Sequence, residues 1–94
     1  MARRKTRRGS ATRGWAKLKP TSSVMRMDVY RKGGPKCFLD PKRLKYPVCA
    51  KQSGKIDCRG VASAKQRASQ QHRKDLVAKA DRIARRVGCA WARK

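Results

Sequence analysis

Few residues in this chain could carry out a reaction. His72 is its only histidine, and its five acids are all aspartates, Asp28, Asp40, Asp57, Asp75 and Asp81. General acid–base catalysis needs a proton donor or acceptor whose pKa is tuned by close neighbours. No two aspartates lie close in sequence, and His72 stands between Gln71 and Arg73, where a satisfied or solvated ring is expected. There is no nucleophile elbow, phosphate loop or HExxH pattern, and Gly33-Gly34 and Gly54 are isolated turn glycines. The expectation is a non-enzymatic protein with no cofactor, no catalytic residue and no small-molecule substrate.

The four cysteines, Cys37, Cys49, Cys58 and Cys89, follow the spacing C-x11-C-x8-C-x30-C. No CxxC pair is present, so the usual zinc-ribbon signature is missing. Three cysteines with His72, or all four together, still form a conceivable zinc set. Four cysteines also allow three complete disulfide pairings. A bridge between two of Cys37, Cys49 and Cys58 would tie the middle of the chain to its helices, worth roughly 2–4 kcal/mol. Disulfide, zinc and buried free thiol are all open at this stage.

The dominant chemistry is cationic. The 94 residues carry 28 Lys and Arg, for a formal charge of +23. Free domains of this size usually carry a net charge of about 2–8 in magnitude, and a compact fold with this excess repels itself without a counter-charged partner. Nucleic acid is the commonest such partner, followed by an acidic protein surface or an anionic membrane. The candidate partner-binding residues fall into two sets. Arg3, Arg4, Lys5, Arg7, Arg8, Arg13 and Lys17 flank or precede a lone aromatic, Trp15, which could anchor in a partner pocket. Lys79, Arg82, Arg85 and Arg86 lie near one another on an expected helix, with too few acids nearby for the charges to serve internal pairing. Aromatics are too sparse for single-strand stacking platforms. Any DNA binding is expected to be to the backbone of double-stranded DNA, without sequence preference.

Three segments would position these groups. Residues 1–23 hold eight basic residues and no acid, with Gly9, Gly14 and Pro20 interspersed, and read as an extended basic N-terminal arm. Residues 24–94 read as one small cysteine-containing helical domain. Within it, Val24–Tyr30 reads as a short strand or one or two helical turns, ended by Gly33-Gly34-Pro35. Pro41 and Pro47 favour extended pieces laid over a helical core, with room for a small hairpin. Asp57 is a candidate N-cap, with Ile56 and Val61 spaced as a hydrophobic staple. A first helix follows over about 58–71. A second is expected over 74–87, where Leu76, Val77, Ala80, Ile83, Ala84 and Val87 repeat with a 3.6-residue period and Gly88 closes the end. Leu76, Val77, Ala80, Ile83 and Val87 are expected to face inward. Cys89-Ala90-Trp91 can fold back as a lid. The fold class is therefore mainly α and small: a helical hairpin with proline-rich extended segments packed on it. No stretch approaches the roughly 20 apolar residues of a membrane span, and the basic start with no apolar run reads as a mature cytosolic beginning, without a secretory signal.

Arg13-Gly14-Trp15, Lys36-Cys37-Phe38-Leu39, Tyr46-Pro47-Val48-Cys49, and Cys58-Arg59-Gly60-Val61 with Ala64 and Arg67-Ala68 resemble a group of short basic virion proteins. These are encoded by nucleo-cytoplasmic large DNA viruses of the chlorella-virus type, with a pattern near GW…KCFL-P…YP(I/V)C…C…G…A…RA. The Phe-Leu-x-Pro…Tyr-Pro-Val…Arg-Ala core also resembles a short module of tailed-phage head proteins. The resemblance spans about residues 13–87. Cys89 and the long Cys49–Cys58 loop depart from it, so it assigns no cysteine pairing. It implies a structural virion component, assembled in the host cytoplasm: a minor capsid or cement protein on the inner face of the shell, bound to other capsid or virion proteins. Sequence-independent packaging of the viral DNA is the alternative, and a ribosomal protein the second.

Overall fold

The computed structural model describes residues 11–92. The order is α1 Trp15–Leu18, α2 Ser23–Gly33, a 3-10 turn Pro35–Cys37, β1 Phe38–Asp40, β2 Lys45–Pro47, α3 Cys58–Gln70, α4 Lys74–Val87 and a 3-10 turn Ala90–Ala92. The chain is mainly α, as its periodicities require. Arg3, Arg4, Lys5, Arg7 and Arg8 lie outside the described residues.

α3 and α4 form the scaffold. Asp57 caps α3, its carboxylate accepting the Arg59 amide at 2.8 Å. The three-residue connection Gln71–Arg73 runs through His72 at φ 59°, and Arg73 N–H returns to the Ala68 carbonyl at 2.8 Å. At the far end Gly88 adopts φ 80° and Cys89 N–H reaches back to Ala84 O at 2.9 Å, closing α4 with paired carbonyls rather than bare ones. Alanines 64, 68, 80 and 84 are buried on the two helices, and small side chains let the helices approach closely. The core between them and the hairpin contains Leu76, Ile83, Val61, Phe38, Leu39 and Val48. Val87 departs from the expected inward face: as the last residue of α4 it is 44% exposed.

The middle segment is more ordered than its composition suggests. Rather than a short strand or one or two turns, 23–33 is an 11-residue helix. Ser22 supplies the reason, accepting the Met25 amide at 3.1 Å and so satisfying an orphan donor of the first turn. Only Val29 of this helix is fully buried, which is why no apolar stripe marked it. β1 and β2 pair antiparallel, Phe38 opposite Pro47 and Asp40 opposite Lys45. Cys49 bridges to Ile56 and Asp57 N–H donates to Val48 O at 2.8 Å, so the hairpin leads directly into the α3 cap.

The cysteines form two disulfides, Cys37–Cys49 and Cys58–Cys89. Neither zinc nor free thiols remain as readings, since each sulfur is committed to another. The first bridge joins the last residue of the 3-10 turn before β1 to Cys49, the isolated bridge residue just past β2. The second joins the first residue of α3 to the residue just past Gly88, clamping the helix pair at the end opposite its short connection. Sequence reasoning grouped Cys37, Cys49 and Cys58 by position and could not see that Cys89 returns to Cys58 when α4 runs back along α3. Trp91 follows it, its indole N–H donating to Cys58 O at 3.2 Å.

The largest correction concerns residues 11–23. They do not form an extended arm. Gly14, at φ 85°, turns the chain into the single-turn helix α1, and Trp15 is 3% exposed. Pro20 is fully buried and Leu18 O accepts the Lys51 amide at 2.8 Å. Trp15 is therefore an internal residue of the domain, because burying a side chain of this size stabilises a thin core more than any exposed use could.

Candidate polyanion interface

The surface is shaped by the shortage of acids. Four ion pairs form among the described residues: Lys32–Asp28 at 3.0 Å, Arg59–Asp57 at 2.8 Å, Lys65–Asp81 at 2.8 Å and Arg73–Asp75 at 3.5 Å. They occupy all the aspartates except Asp40. Two are chemically informative. Hydrogen bonds from the Arg59 side chain hold the Asp57 carboxyl below the usual carboxylate range, and the Arg73 side chain does the same for Asp75. Among the described residues, the remaining cations form no ion pair with a carboxylate.

The expected partner-binding residues are distributed as follows. Arg13 and Lys17 are exposed beside α1. Arg82, Arg85 and Arg86 are exposed on α4 and make no hydrogen bond or ion pair among the described residues. Lys79 differs: its ammonium donates to Leu39 O at 3.0 Å, so it fastens β1 to α4 and is not free for a partner. Trp15 is withdrawn altogether.

A concentration of charge that sequence reasoning missed lies on another face. Lys19, Arg26, Lys45 and Arg67, from four separate elements, line one cleft with Trp15 and Tyr46 in its wall. The cleft is bounded by the end of α1, α2, β2 and α3. Arg26 is held in place by Pro20 O at 3.5 Å and Leu44 O at 3.4 Å. The Tyr46 hydroxyl bonds the side-chain carbonyl of Gln71. Burial, followed by the nearby charges of Arg67 and Arg26, lowers the pKa of the Lys19 ammonium. No periodicity could have announced this group, since its members lie far apart in sequence and only the fold of α1 onto α3 gathers them.

Other chemistry is sparse. No group of three or more His, Cys, Asp or Glu among the described residues is placed to hold a metal. His72 is exposed in the interhelical connection. No described helix is long and apolar enough to cross a membrane. Several apolar side chains are exposed on α2, notably Val24 at 79% and Met27 at 46%. The architecture defines a small, mainly α domain stapled by two disulfides, with a cationic surface. No family model, curated protein or solved structure matches this chain.

Proposed function

We propose that this chain is a non-enzymatic structural component of a large DNA virus particle, a minor capsid protein that seats on acidic capsid-protein surfaces at the inner face of the shell. The observation that carries this reading is a cationic surface left without carboxylates on a rigid frame. Four aspartates are spent on internal pairs, while Arg13, Lys17, Arg82, Arg85 and Arg86 stay exposed. Arginine forks match carboxylates and phosphates bidentately. Two disulfides hold the cations in fixed relation, which reduces the ordering cost of a mosaic contact. Val24 and Met27 provide apolar contact area that buried Trp15 does not.

The resemblance of the Gly14-Trp15, Lys36–Leu39, Tyr46–Cys49 and Cys58–Val61 strings to virion proteins supports the placement in a particle. Sequence-independent packaging of DNA is the second reading, favoured by the same unpaired arginines, since a phosphate backbone satisfies them equally well. Fractionation separates the two. Particles opened gently and split into shell and nucleoprotein should leave this chain with the shell; recovery with the DNA after nuclease-sensitive sedimentation would favour packaging, and absence from particles would remove both.

A further inference from the structure

The cleft between α1, α2, β2 and α3 has a composition that the general surface charge does not explain. Exposed cations on a basic protein normally spread apart to lower their repulsion. Here Lys19, Arg26, Lys45 and Arg67 converge on one depression of about 170 Å³, and no carboxylate lines it. Ser63 contributes a hydroxyl to the same wall. Gln71 gives its carbonyl to Tyr46, which leaves its amide nitrogen as a donor. The lining is thus rich in donors and holds no anionic acceptor. The backbone is also held away from its comfortable conformation at this wall: Lys45 stands between Leu44 at φ 54° and Tyr46 at φ 60°. Left-handed backbone is unfavourable for residues that carry a Cβ, and strain of this kind clusters at binding sites.

We propose that this cleft is a discrete anion site that takes one phosphoryl group, cradled by Lys19, Arg26, Lys45 and Arg67. The volume sets the size of the occupant. Pockets for drug-sized ligands run to roughly 300–1,000 Å³, so this one admits a single tetrahedral oxyanion rather than a whole nucleotide. The charge sets its kind: a tetrahedral phosphoryl group, with one or two negative charges spread over oxygens that point in several directions, meets four cations and two neutral donors more completely than a planar lone carboxylate. Burial first, and then the neighbouring charges of Arg67 and Arg26, lower the proton affinity of Lys19, and an anion between them would offset the charge repulsion. The phosphoryl group comes either from free phosphate or from a DNA backbone. The site stands independently of the virion reading, because it depends on the folded chain alone.

Calorimetric titration of the oxidised protein tests it, at fixed ionic strength, first with inorganic phosphate and then with a short DNA duplex. Three variants are compared: Lys19→Gln/Arg67→Gln, the exposed single change Lys45→Gln, and the control Lys74→Gln/Arg31→Gln, which removes the same charge at exposed positions elsewhere. Charge-assisted hydrogen bonds are worth about 1.5–3 kcal/mol, so the double cleft variant should weaken phosphate binding at least about tenfold. Lys45→Gln should weaken it severalfold, and the control by less than about twofold. Both cleft variants relieve repulsion, so circular dichroism and melting should show them folded. A cleft-specific deficit with phosphate identifies the free ion as a sufficient ligand; one seen with duplex alone identifies the DNA backbone as the source. Equal losses in cleft and control variants with both ligands would overturn the site, reducing it to diffuse charge.

Discussion

Gly60 lies directly beneath the indole of Trp15: a Cβ built at position 60 would meet Trp15 Cη2 at 2.6 Å and Cζ2 at 2.7 Å. This one approach turns residues 14–20 from a free arm into part of the domain. It also gathers Lys19 onto the same face as Arg67. A larger residue at 60 would have to expel the indole.

The first prediction follows from that contact. Gly→Ala within a helix ordinarily stabilises by roughly 0.5–1 kcal/mol. Gly60→Ala should instead destabilise, and Trp15→Ala should cost about 3–5 kcal/mol, the usual range for large aromatic truncations in a core. Denaturant melts of the two variants check this. A more stable Gly60→Ala protein would place Trp15 outside the core.

Reduction should be strongly destabilising. The chain-entropy relation gives about 3 kcal/mol for Cys37–Cys49, which spans 12 residues, and about 4 kcal/mol for Cys58–Cys89, which spans 31. Small domains have only about 5–15 kcal/mol to lose. Melting in the presence of reductant, with thiols counted, should show a fall of tens of degrees or outright unfolding. Replacing Cys58 and Cys89 by serine should hurt more than replacing Cys37 and Cys49. Unchanged melting with four free thiols would contradict the staples.

Position along α4 decides the next case. Ile83 is 8% exposed and Val87 is 44% exposed. Ile83→Asp should unfold the domain, because it puts an unpaired charge in a small core. Val87→Asp should change stability by only about 0.5 kcal/mol. Equal effects on melting temperature would show that the inward face is misassigned.

Acid should weaken the α3 cap. Asp57 titrates below its ordinary range in the folded chain because Arg59 bonds its ionised form. Its contribution is therefore fully present above the unfolded value near ~3.9 and is lost as pH falls through the lower folded value. Asp57→Ala should cost about 1 kcal/mol at neutral pH, and the melting temperatures of variant and parent should converge as the solution is acidified through that window. A constant gap down to low pH would argue against an ionised cap.

How much of this was legible in the sequence depends on range. α4 was readable almost to the residue, because Leu76, Ala80, Ile83 and Ala84 carry the helical period and Gly88 marks the stop. Asp57 announced α3 by its own capping chemistry. α2 was obscured because it rests on the core through Val29 and leaves Val24 and Met27 outside, so no amphipathic stripe exists to read. Trp15 was misplaced for a different reason. Its burial depends on a glycine 45 positions later, and an Arg- and Gly-rich neighbourhood resembles a solvated tail. One signal was available: a glycine in the third position of a helix is costly unless something approaches it closely. The Lys19, Arg26, Lys45 and Arg67 cleft was invisible for the same reason of distance, since its existence depends on where α1 lands.

The central claim, a rigid cationic module seated on acidic shell proteins, is tested most directly by cross-linking mass spectrometry on the intact source particle. Lys17, Lys36, Lys42 and Lys55 are exposed and available to a lysine- and carboxylate-reactive linker. The expected result is a set of cross-links from these lysines to Asp and Glu of capsid proteins. Cross-links confined to nucleic acid or to DNA-bound proteins, or none to any shell component, would contradict it.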